Sequence, residues 1–70
     1  MSQKDRIKGY RYMLGFTQKQ MSEELGISKQ SYHNKENGIV SFKDTEKVKF
    51  KMLVNQFNPE LTIDDIFFTI

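Results

Sequence analysis

Residues Phe16 to Gly38 read FTQKQMSEELGISKQSYHNKENG, and the order of caps and stops in this stretch decides the fold. Thr17 is a good N-cap and Gln20, three residues on, completes a capping-box pattern, so a helix is expected from Gln18 to about Leu25. Gly26 stops it by supplying the positive φ that a helix C-terminus favours. Ile27 follows, and Ser28 can cap a second helix that starts at Lys29 and runs to about Asn37, closed by Gly38. Only a short turn separates the two helices. The small Ser22 sits where the first helix must let the second approach, and the apolar Met21, Leu25, Ile27 and Tyr32 are spaced to hold the pair at a steep angle.

The second helix sorts its residues by face. With Lys29 set at zero, Gln30, His33, Asn34 and Asn37 fall at about 100, 40, 140 and 80° around the axis, one polar face, whereas Tyr32 falls at about 300° and points to the core. Any solvated helix has a polar face, so the face alone decides nothing. Combined with a cap, a glycine turn and an apolar seam between two short helices, it has the form of a helix-turn-helix reader of the major groove of DNA.

Length and composition bound the alternatives. Seventy residues make one small domain, expected over 1–70, whose core is worth only about 3 to 5 kcal/mol net. Cysteine is absent and there is one histidine, so neither a disulfide nor a zinc cage is expected, and no metal or other cofactor. No signal-like or membrane-length apolar run is present, which points to the cytoplasm, with no membrane partner. Catalysis is disfavoured, because His33 stands without a nucleophile or a carboxylate pair. The net charge is only +2, but it is unevenly placed. Residues 1–43 carry eight lysines and arginines against four acids, and residues 44–70 carry three against five. The positive end coincides with the reading helix, as attraction to phosphates requires.

Outside the central stretch, three further helices and no strand are expected. The first spans about Lys4 to Met13, with Ile7, Tyr10 and Leu14 inward and Gly15 as its stop. The fourth spans about Lys43 to Gln56, with Phe50, Leu53, Val54 and Phe57 as a core stripe. Asn58-Pro59 breaks it, and Thr62 with Asp65 signals the start of a short fifth helix at about 63–68. Ile39-Val40-Ser41-Phe42 is an apolar connector with no strand to pair with. Leu61, Ile63, Ile66, Phe67, Phe68 and Ile70 load the last ten residues with more apolar surface than a short helix can hide, Phe68 and Ile70 being the surplus.

The residues Leu14-Gly15-Phe16-Thr17-Gln18, Met21-Ser22, Leu25-Gly26-Ile27-Ser28 and Glu36-Asn37-Gly38 resemble the Cro/CI-like, or xenobiotic-response-element-type, helix-turn-helix regulators of bacteria and their phages. The resemblance runs from about Ile7 to Phe57. It implies an all-α, five-helix, lambda-repressor-like fold and an ion pair between Arg11 and Glu36 across the bundle. One departure stands out: Lys35 occupies a position where the family usually has a large apolar residue. Its stem is expected to pack while its amine reaches solvent.

The resemblance also distributes the contacts. Gln18, at the start of the second helix, takes a phosphate-clamping role, with Lys19 and Ser41 or Lys43 adding backbone contacts. Lys29, Gln30 and Asn34 match the base-reading positions, with Ser28 and His33 at the margins and Asn37 on the same face. Glutamine and asparagine each suit adenine, and lysine suits guanine. The implied partner is double-stranded DNA with a palindromic operator, bound by a homodimer at half-sites one helical turn, ~34 Å, apart. Ile66, Phe67, Phe68 and Ile70 are expected to form the symmetric contact. The expected function is that of a small phage- or prophage-type repressor or Cro-like protein with no ligand domain and no small-molecule ligand. The alternative is a protein-interaction module on the same fold, an antirepressor or antitoxin-like partner.

Overall fold

The computed structural model describes residues 3–68. Four α-helices, α1 (Gln3–Leu14), α2 (Gln18–Leu25), α3 (Lys29–Glu36) and α4 (Asp44–Val54), precede a fifth, π-helical turn, Asp64–Phe68. The fold is all-α, with no strand among the described residues. Its most extensive helix–helix contact is α2 against α3.

The caps act where the sequence puts them. Thr17 accepts from the Gln20 amide at 3.1 Å and the Gln20 side chain accepts from the Thr17 amide at 2.8 Å, which satisfies two otherwise orphaned donors at the start of α2. At its end Gly26 takes φ 73°, and the amides of Gly26 and Ile27 donate back to Glu23 and Ser22 at 3.2 and 2.9 Å. This is a Schellman closure. The same pair of bonds closes α1 at Gly15 and α3 at Gly38. Ser28 then caps α3 by accepting from Ser31 at 3.1 Å, so two helices meet across a turn that wastes no residue.

The core is centred on Tyr32, Phe42, Phe50 and Phe67. Phe42 lies 5.2 Å from Phe67 and 6.2 Å from both Tyr32 and Phe50, ring centre to ring centre, with Phe50 and Phe67 at 5.5 Å. Tilted and edge-on contacts of this kind add to the area they bury. Ile7 and Met21 close the core from α1 and α2, and Tyr10 and Leu14 pack half-buried beside it.

Three expectations are corrected. Lys35 does not lift its amine to solvent. The residue is buried, and Nζ donates to both Glu46 oxygens at 2.6 and 2.7 Å, so the space of a large apolar residue is filled by an ion pair to α4. Phe57 is not core. Helix α4 stops at Val54, where the Gln56 and Phe57 amides tighten to i−3 carbonyls, and the ring leaves the stripe to lie 38 % exposed beside Tyr10. Asn55 holds this exit by donating to Asn58 and Leu61, both at 3.0 Å.

The third correction concerns the end of the chain. Thr62 and Asp65 form a reciprocal cap, at 3.0 and 3.1 Å, and the turn they start folds back over α1. Ile66 and Phe67 are fully buried by it and are not available to a second copy, whereas Phe68 stays 58 % exposed. Ile70 lies outside the described residues. The connector divides similarly: Phe42 turns inward, and Ile39 and Val40 are exposed.

Candidate nucleic-acid interface

Helix α3 has only eight residues, and its two faces differ in chemistry. The inner face carries Tyr32, Lys35 and Glu36, all buried. Glu36 is the hub. Its Oε2 accepts from Arg11 Nε at 2.7 Å and from the Tyr32 hydroxyl at 2.6 Å. Its Oε1 accepts from Arg11 Nη2 at 3.1 Å and from Gln18 Nε2 at 3.0 Å. Arg11 also donates to the Phe16 carbonyl at 2.9 Å, so one network ties α1, the start of α2 and the end of α3.

Burial raises the Glu36 carboxyl pKa, but the hydrogen bonds from Arg11, Tyr32 and Gln18 outweigh it and hold the group below its ordinary value. Burial, then the Glu36 carboxylate, push the Tyr32 phenol well up. The hydrogen bond to Glu36 raises Arg11 despite its desolvation. The ionised carboxylate is therefore the state this site is built for. Glu46 follows the same rule: burial opposes its ionisation, and the Lys35 amine and Lys43 backbone amide overcome it.

The outer face carries the sequence-predicted readers. Lys29, Gln30 and His33 are exposed, and Asn34 is half-buried. Lys29, Gln30 and His33 line a shallow groove with Gln18. Gln30 Nε2 donates to Asn34 Oδ1 at 3.1 Å, one turn apart, which leaves the Gln30 oxygen and the Asn34 amide hydrogens as the outward acceptor and donors.

The other predicted residues are placed less uniformly. Ser28 is exposed, but its oxygen is spent on the cap of α3. Asn37 turns its amide back on its own helix, donating to the His33 carbonyl at 2.8 Å. Gln18 is half-buried with its amide nitrogen committed to Glu36, and its oxygen lies 3.4 Å from His33 Nδ1. Lys19, Ser41 and Lys43 are exposed, the last two on the connector and at the N-cap of α4.

Sequence reasoning missed the Lys35–Glu46 bridge. The available signal was Glu46, three residues after the helix start at Lys43, the spacing at which a glutamate reaches back to an N-cap amide.

Two capped helices across a glycine turn, the second with an exposed polar face, define a helix-turn-helix module of the DNA-binding class. Residues 5–64 match the family model described as a helix-turn-helix domain, and the chain belongs to that family. No curated protein and no solved structure gives a significant match. Domains of this family bind DNA and are typically not enzymes. Among the described residues there is no cluster of metal-ligating side chains and no helix long and apolar enough to cross a membrane.

Proposed function

We propose that this protein is a sequence-specific transcriptional regulator of the Cro/CI-like type, a small phage- or prophage-style repressor acting on double-stranded DNA in the cytoplasm. The observation that supports this is the outer face of α3, where exposed Lys29, Gln30 and His33 stand on a helix anchored from behind by two buried ion pairs. A helix fixed in this way presents base-reading groups without paying to order them. Lys29 and the linked Gln30–Asn34 pair read bases, with Ser28, His33 and Asn37 at the edge. Lys19, Ser41 and Lys43 take phosphates. Gln18 sits at the N-terminus of α2, where backbone amides favour an anion, and its own amide steadies the groove.

Two copies occupy a palindromic site. With Ile66 and Phe67 committed to the core, the described terminal turn offers too little apolar surface for a stable free dimer, so pairing forms on the DNA. Selection of bound sites from a random duplex pool tests the proposal. A two-fold motif with half-sites about one turn apart is expected, and affinity for random duplex should fall steeply with salt. No enrichment, with negligible affinity even at low salt, overturns it in favour of a protein-interaction module.

A further inference from the structure

A cleft that shares no lining residue with the α2–α3 groove opens where α1, the end of α3, the connector, α4 and the terminal turn meet. Its volume is ≈ 220 Å³. Ile7, Phe42 and Phe67, all buried, form its floor, and Val40 and Phe68, about half exposed, stand at its mouth. An apolar cavity of about 150 Å³ accepts a benzene ring, so this one has room for a single aromatic or branched aliphatic side chain.

The charge that the described residues place around it is mostly positive. Among them, Lys4, Lys35 and Lys47 line the cleft with one carboxylate, Glu36. Glu36 is bound to Arg11 and Lys35 to Glu46, each pair internally compensated. Among the described residues, the charges left to the rim are thus Lys4 and Lys47, and Lys47 Nζ stands 4.4 Å from the centre of the exposed Phe68 ring. A second copy docked here about a two-fold axis would set these lysines against their own equivalents. The apolar mouth continues past Val40 to Ile39, which is 70 % exposed, and so extends beyond what a small molecule would cover.

We infer that this cleft is a docking site for an acidic segment of another protein, one bulky apolar side chain entering between Val40 and Phe68 while flanking carboxylates meet Lys4 and Lys47. An exposed apolar mouth rimmed by charge is the usual mark of such a surface, and charge of opposite sign selects the partner. The inference is independent of DNA reading.

The test uses the full chain and a fluorescein-labelled peptide in which one phenylalanine is flanked on both sides by glutamates. Binding is followed by anisotropy at low salt and mapped by amide chemical shifts. Shifts at Val40, Phe42, Lys47, Phe67 and Phe68 are expected. Lys4→Glu, on an exposed site, and Lys47→Glu should each weaken binding about tenfold, as should serine in place of the phenylalanine. A lysine-flanked peptide should not bind. Four results overturn the inference: no binding, equal binding of the serine peptide, shifts confined to the Lys29–Gln30–His33 groove, or cleft signals that move with protein concentration in a sample sedimenting as a dimer. The last would assign the cleft to a second copy.

Discussion

Gln30 and Asn34 share a hydrogen bond, so the contributions to base reading proposed for them are coupled. Replacing either by alanine should cost about 1–3 kcal/mol on the preferred site and relax one base position. The double variant should lose less than the sum, because the first substitution already frees its partner to swing; a binding cycle over the four proteins measures this. Lys43→Ala should weaken all duplexes alike and reduce the salt slope by about 1, since a phosphate contact carries no sequence information. The positions of these side chains were legible from the period of α3 alone. Their mutual bonds were not: helical position puts Gln30, Asn34 and Asn37 on one face, but only rotamers decide that Asn37 bends back to its own carbonyl. Gln18 is a similar case, since a network centred on Glu36 claims its nitrogen.

The elements are held to one another by charges as well as by apolar contact. Glu36→Ala strands Arg11 and should cost about 3–5 kcal/mol in urea or thermal unfolding, close to the whole stability of a domain of this size. Lys35→Met leaves Glu46 buried with only the Lys43 amide, at a cost of about 1–3 kcal/mol or more. The double variant Lys35→Met/Glu46→Gln should recover most of that loss, because an apolar side chain and a neutral amide fit where the charges were. At the terminal turn, Phe67→Ala should cost about 3–5 kcal/mol and Phe68→Ala less than about 0.5 kcal/mol, a contrast that melting curves resolve directly. Helix ends were readable in the sequence wherever a cap or glycine marks them: Thr17, Gly26, Ser28 and Gly38. The end of α4 was not, because no glycine marks it and Asn55 stops it through bonds to residues that come later in the chain.

For the molecule as a whole, stability should depend on pH in a defined way. The Glu36 and Glu46 pKa values are held down in the fold, so the unfolded chain binds more protons in acid. Stability is therefore full above the ordinary carboxylate value of 4.5 and is lost as pH falls through the lowered values. Tyr32 is raised, so its contribution is complete below 10.0 and is lost as pH rises beyond it. Urea midpoints should be flat between these limits, with Tyr32→Phe reducing the alkaline decline. At this scale the all-α architecture followed from spacing and caps, and Phe68 was legible as surplus apolar surface. The expected use of Ile66 and Phe67 in a contact between copies was not sound, because the fold-back of a π-helical turn over α1 buries both.

The separation of the two faces of α3 has a consequence for change over time. Lys29, Gln30 and His33 touch solvent, while Tyr32, Lys35 and Glu36 carry the anchoring bonds, so the letters the helix can read and the bonds that keep it in place are written at different positions. Under the proposed function, substitutions at Lys29, Gln30 and His33 should alter binding preference while melting temperature stays nearly constant. On that proposal, a lineage carrying this domain can move to a new binding sequence one residue at a time without passing through an unfolded intermediate.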